Sequence, residues 1–404
     1  MVATTRPRKK PRKPYPTFPL TAHPNGQWCK KIRGKVHFFG VWADPEAALT
    51  NYNRQAGDLH EGREPRPAAV GDVPSVKDLA NAYLATQRDK CGRGLITPRW
   101  FDDCMTILKA FTGAVGKSRR WDDLRPPDFA RYRLHLYDKY GVCAIERHIT
   151  VIRSMFKHAY DADLIDQPMK FGQQFNRPSA KEKRQSRNLK DREHGKRLIT
   201  PDQIRLLLSA SDAQMKAMIL LGINGGFGNT DCATLPIPAV NLEKAMIEYE
   251  RPKTAVQRMV PLWPETVAAL QCVLGGDRPK PRLPAYANLV FLTLFGSPWK
   301  KDAINPSEDG DAKVHRQQAI TAEFHKLLKR HKMDRKGLGF YALRHTFRTW
   351  ADEVKDQHAV HRIMGHSIPG MSGIYIEEIS MDRLRAVTDH LRNKLFTQLN
   401  QDRP

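Results

Sequence analysis

The chain has 404 residues, room for two or three domains of roughly 100 to 200 residues each and too much for a single small module. Lys and Arg total 67 against 43 Asp and Glu, a formal charge of +24, while 40% of the residues are hydrophobic. That balance excludes disorder throughout and points to a polyanionic partner. No apolar run approaches the roughly 20 residues that a membrane span needs. Basic residues between Met1 and Lys13 have no apolar segment behind them, so no secretory signal is expected and the location expected is the cytoplasm or nucleoid. Six cysteines (Cys29, Cys91, Cys104, Cys143, Cys232, Cys272) lack any C-x-x-C spacing, which predicts free, mostly buried thiols and no zinc ribbon.

In chain order, residues 1–13 read as a basic flexible tail, because the prolines among its Arg and Lys residues forbid a helix. Residues 14–60 predict a small basic β-β-α module. QWCKKIRGKVHFFGVW has a turn at Arg33-Gly34, and a helix over 44–58 covers the hairpin. Lys30, Lys31, Arg33 and Lys35 make this module a candidate DNA-binding surface. A linker rich in Pro and Gly follows at 61–75.

Residues 76–166 carry apolar positions three and four apart in four runs, the second opened by Thr97-Pro98, and predict an all-α domain. Residues 167–199 have few large apolar side chains and read as a basic interdomain linker. Lys181, Lys183, Arg184 and Arg187 either face solvent or strap an anionic duplex. At Thr200-Pro201-Asp202-Gln203 a capping box opens the last domain, 200–404. It reads as α+β with strands over 245–249 and 257–262, then mostly helix to the end, closing on an amphipathic stretch with Leu384, Val387, Leu391, Leu395 and Leu399. The whole is multidomain and mainly α.

Four local patterns bear chemistry. GGFGNTD at 225–231 is glycine-rich but lacks the Gly-Lys-Ser/Thr ending of a nucleotide loop. YERPKT before RMVPL, at 249–262, reads as a hairpin with Lys253 near its tip. YALRHTF at 341–347 opens a helix whose inward side is Leu343, Phe347, Trp350 and Val354, placing Arg344 and His345 at its start. MGHS at 364–367 precedes Tyr375. His358, His361 and His366 lack the cysteine or acidic neighbours of a zinc site, so no metal is expected.

In their order and spacing these patterns resemble the tyrosine recombinase (phage integrase) family. ALRHTF looks like its second arginine box, MGHS like its Leu-Gly-His-Ser box, and RPKTAVQRMVPL like its β-hairpin. The resemblance covers roughly residues 200–397, and the order of basic module, helical domain and linker matches the family architecture more loosely. It implies a helical core-binding domain at 76–166 and a catalytic domain at 200–404. It further implies cleavage of double-stranded DNA through a 3′-phosphotyrosyl intermediate, with Tyr375 as nucleophile, Arg344 as phosphate clamp, Lys253 as general acid and His366 as hydrogen-bond donor or proton-transfer aid. No cofactor is implied. The implied partners are duplex DNA, three further copies of the chain on paired sites, and an accessory DNA-bending or directionality protein; the C-terminal helix would dock on a neighbouring subunit or pack on its own domain.

Two positions depart from the family pattern. Gly228 stands where the first arginine belongs, and Tyr341 where a histidine is usual. One clamp lost without replacement would cost about 3 kcal/mol, roughly 100-fold in rate. Arg251, two residues before Lys253, and Arg348, one turn after Arg344, are the candidates to replace it. Two other readings stay open: a DNA-binding protein of this fold with impaired catalysis, and type IB topoisomerase-like relaxation.

Overall fold

The computed structural model describes residues 10–62, 73–251, 256–306, 312–367 and 378–397. It divides into two compact units, residues 1–186 and 187–404.

The first unit begins with three antiparallel strands in the order β1 (Thr21–His23), β2 (Gln27–Ile32) and β3 (Lys35–Val41), covered by α1 (Pro45–Glu61). The Arg33-Gly34 turn forms with φ of 46° and 83°, the left-handed pair that lets a two-residue loop follow the strand twist. The sequence reading had two strands. The third, β1, pairs Thr21 with Cys29 and was hidden by its length of three residues. Phe18, Leu20, Trp28, Ile32 and Phe39 meet Ala48, Tyr52 and Leu59 in a small core.

Four helices then build a separate core: α2 (Val76–Gly92), α3 (Pro98–Val115), α4 (Pro126–Lys139) and α5 (Val142–Asp161). The starts are those that local chemistry dictates. Ser75 and Asp78 form a reciprocal capping box, and Thr97 Oγ1 accepts from the Trp100 amide at 3.2 Å. Phe111, Phe129, Phe156, Phe171 and Phe175 interlock at ring-centroid distances of 4.9 to 6.3 Å. Part of the expected linker is a helix, α6 (Ala180–His194), with no buried residue. Its residues are good helix formers, and with no apolar stripe the burial pattern could not announce it. Ser179 and Glu182 cap its start, with Glu182 Oε2 accepting from the Ser179 amide at 2.7 Å.

In the second unit, α7 (Pro201–Ser209) opens on the Thr200–Gln203 box and leads to α8 (Ala213–Asn224). Every residue of α8 from Gln214 to Asn224 except the exposed Lys216 is buried. Around it lie α9 (Asn229–Ala233), the sheet β4 (Val240–Asn241), β5 (Met246–Arg251) and β6 (Val256–Pro261), and α10 (Pro264–Cys272). A hairpin follows, β7 (Lys300–Pro306) with β8 (Ala312–Gln318), registered from Lys300 opposite Gln318 to Pro306 opposite Ala312. The remainder is mostly helix, as expected, but this hairpin was not among the strands read from the sequence. The segment has no strict alternation of apolar residues, so only backbone pairing reveals it. Then come α11 (Ala319–Arg330), α12 (Tyr341–Ala351), α13 (Gln357–Met364) and α14 (Met381–Phe396).

The C-terminal helix α14 packs on its own unit. Leu384, Val387, Leu391 and Leu395 are fully buried in the core of their own unit, the Trp263 indole donates to Thr388 O at 2.8 Å, and Arg392 pairs with Glu265. Leu399 lies outside the described residues. All six cysteines are free thiols, with Cys143 and Cys272 exposed and the other four buried. Among the described residues no helix is long and apolar enough to cross a membrane.

Candidate active site

The site is assembled around one carboxylate. Helix α8 ends at Gly225, and the chain turns through Gly226 and Phe227 into the short α9, which begins after Gly228. The Gly228 amide donates to Asp231 Oδ2 at 2.8 Å, so Asp231 caps its own helix while only 4% exposed.

Three arginines from different elements converge on Asp231. Arg251, the last residue of β5, places Nε 3.1 Å from Oδ1. Arg258, on β6, is completely buried with Nη1 3.6 Å from Oδ2. Arg344, in the first turn of α12, has Nη1 3.4 Å from Oδ2 and also donates to Gly226 O. Helix α12 delivers it because Leu343 and Phe347 are fully buried in the core, leaving Arg344 on the adjoining edge of the helix at 3% exposure. Arg258 also donates from Nε to Ile363 O at 2.7 Å and from Nη2 to Gly225 O, and its guanidinium lies 3.6 Å over the Phe227 ring.

Helix α13 stops at Gly365, whose φ of 62° turns the chain back. His366 follows, with Nε2 2.6 Å from Arg344 Nη2. A guanidinium can only donate, so Nε2 accepts and the neutral ring carries its proton on Nδ1.

Burial by itself would raise the Asp231 carboxyl; Arg258, Arg251, the Gly228 amide and Arg344 outweigh it and hold the group below the ordinary carboxylate range. Burial, with the nearby Arg258 charge, brings Arg344 down to about 10, still cationic at neutral pH. His366 is pressed down to about 4 by burial and then by Arg344, and is uncharged at pH 7. Three guanidinium groups therefore face one carboxylate in a largely dehydrated place. Such an excess attracts an anion with planar or tetrahedral oxygens.

The structure brings Arg251, Arg344 and His366 together, with Tyr341 beside Gly228 at the start of α12. Arg348 instead donates to Asp352 at 2.8 Å and to Gln357 at 2.5 Å, outside the cluster. Lys253 and Tyr375 lie outside the described residues. In the first unit Lys31, Arg33 and Lys35 are exposed, whereas the Lys30 ammonium donates to Tyr52 Oη at 2.6 Å. On α6, Lys181, Arg184 and Arg187 are exposed, and Lys183 is paired with Glu146. Among the described residues no group of three or more His, Cys, Asp or Glu could hold a metal ion.

Sequence reasoning missed Arg258. The signal was present: it shares the inward face of β6 with Val260, two residues on, and a charge at an inward strand position implies a buried partner.

Residues 197–380 match the model of the phage integrase family. These residues form a phage integrase family domain. The boxes ALRHTF and MGHS and the Asp231 cluster all fall within it. No curated protein sequence matches the chain. Among solved structures, it is similar to the integrase of transposon Tn1549 in complex with transposon right-end DNA (19% identity, TM-score 0.55), covering 79% of this chain and 100% of that one. It is also similar to a lambda integrase dimer bound to a COC′ core site (15% identity, TM-score 0.53), covering 92% of this chain and 99% of that one. A lambda integrase tetramer bound to a Holliday junction matches at 14% identity and TM-score 0.51, covering 92% of this chain and 100% of that one. At these identities the likeness is one of fold.

Proposed function

We propose that this chain is a site-specific DNA recombinase that cuts and rejoins duplex DNA through a 3′-phosphotyrosyl intermediate, serving integration or excision of a mobile element. The observation that carries this reading is the convergence of Arg251, Arg258 and Arg344 on Asp231, with His366 against Arg344, in a phage integrase family domain. Cutting a phosphodiester without a metal needs a nucleophile, a proton for the leaving oxygen and cations for charge building on the phosphorane. Tyr375 Oη forms the new bond to phosphorus and loses its proton to solvent. The 5′ oxygen leaves with the electron pair of the broken bond and takes a proton from Lys253. Arg344 holds the nonbridging oxygens, exchanging His366 Nε2 for the stronger phosphate acceptor, and His366, once its proton is on Nε2, donates to the same phosphate. Reversal on a new 5′ hydroxyl completes strand exchange, which keeps the bond energy and needs no cofactor.

The acting assembly is four copies on paired DNA sites, with an accessory bending or directionality protein, and the exposed lysines and arginines of the β module and α6 contact flanking phosphates. Action on chromosomal DNA places it at the nucleoid. The decisive experiment is a covalent trap with nicked suicide duplexes tiled from the DNA flanking its own gene, run beside Tyr375→Phe. A protease-sensitive, detergent-stable adduct absent from the variant is expected. Salt-sensitive duplex binding with no adduct on any tile is the outcome of the second reading, a DNA-binding protein with impaired catalysis, which Gly228 favours.

A further inference from the structure

Residue 228 contributes no guanidinium, and the Tyr341 ring stands close to where a side chain on it would begin. A Cβ built on Gly228 would stand 3.1 Å from Tyr341 Cε2 and 3.4 Å from Asp231 Oδ2. The anchor for a clamp at this place is nonetheless intact, since Asp231 keeps its buried position and its contact with Arg344. What meets the vacant side of that carboxylate is Arg251, coming from the sheet rather than from α9, with Nε 3.1 Å from Oδ1 and 9% exposure. Its stem runs past Gly365, where a Cβ would lie 2.9 Å from Arg251 Cδ and 3.2 Å from Arg251 Cβ. The glycine of the MGHS box thus makes the channel through which this arginine reaches the site.

We infer that the phosphate clamp has moved from residue 228 to strand β5: Arg251, anchored on Asp231, brackets the scissile phosphate together with Arg344. This rests on the recombinase reading above. The other arginines are already spent. Arg258 is fully buried, bonded to two backbone carbonyls and stacked on Phe227. Arg348 is engaged with Asp352 and Gln357. Arg251 and Arg344 contact the two oxygens of one carboxylate, which holds both guanidinium groups at the same place, and planar forks of this kind suit the nonbridging oxygens of a phosphate. Lys253 follows Arg251 by two residues, so the hairpin would carry both the clamp and the proton donor.

The test compares adduct formation by the wild type, Arg251→Ala and Arg251→Lys on the suicide duplex that the wild type cleaves, and on the same duplex with a methylphosphonate at the scissile position. A cation that acts on a nonbridging oxygen matters much less once that oxygen is a neutral methyl group. The expected result is a loss of about 100-fold for Arg251→Ala on the phosphodiester, an intermediate loss for Arg251→Lys, and a collapse of the Ala defect to within about threefold on the methylphosphonate. Equal defects on both substrates would mean a merely structural role, and an Arg251→Ala enzyme as fast as the wild type would mean no role; either overturns the inference while leaving the recombinase reading standing. A wild type that forms no adduct on any tile removes the reading and the inference together.

Discussion

Gly228 and Tyr341 occupy one site: a Cβ on residue 228 would fall 3.1 Å and 3.2 Å from two carbons of the Tyr341 ring. Backbone strain has no part in it, because φ at Gly228 is −98°, open to any residue. It is the ring that stands in the volume a side chain would need.

Gly228→Ala should accordingly cost about 1 kcal/mol, the low end of overpacking, because Tyr341 is 51% exposed and can give way. In a Tyr341→Ala background the same change should cost close to nothing. A double-mutant cycle from urea denaturation reads the coupling; additive effects would show that the two residues are independent.

Asp231→Asn removes the carboxylate that three buried guanidinium groups share. Breaking a buried ion cluster on one side typically costs about 3 to 5 kcal/mol, so the denaturation midpoint should drop sharply. Inorganic phosphate should restore part of the loss by supplying a substitute anion. A variant indifferent to phosphate would mean that the arginines do not form an anion site.

In the helical domain His148 is 5% exposed with Nδ1 2.9 Å from Tyr132 Oη, and burial, then Arg147, lowers it from 6.5 to about 4. Between those values the unfolded chain holds the extra proton. Stability present above pH 6.5 is thus lost as pH falls, by about 2 kcal/mol at pH 5. His148→Gln should lose less stability than the wild type between pH 7.5 and pH 5. Identical pH dependence in the two proteins would contradict the assignment.

Leu391→Ala should destabilise the second unit by about 2 to 5 kcal/mol, since Leu391 is fully buried in the α14 seam. Leu294→Ala, at a site 88% exposed, should change stability by less than about 0.5 kcal/mol. Calorimetric melting of the two variants makes the comparison, and a small effect at Leu391 would mean that the helix does not depend on its own core.

Local chemistry was legible without a structure. The helix start at Thr97, the capping box at Thr200, the Arg33-Gly34 turn and the inward stripe of α12 are contacts between residues a few positions apart, and each shows as a spacing in the text. So were the family boxes, which lie in short runs. Three things needed the tertiary structure. Strand β1 and the β7–β8 hairpin are held by backbone pairing that side-chain periodicity does not record. The exposed helix α6 lacks the apolar face by which a helix is recognised. Above all, Asp231 meets Arg251 across 20 residues of chain and Arg344 across 113. Sequence alone offered Arg251 and Arg348 on equal terms, because spacing along one strand or one helix measures direction only within that element. The tertiary structure separates them: the Arg251 guanidinium lies at the Asp231 carboxylate, and Arg348 pairs with Asp352.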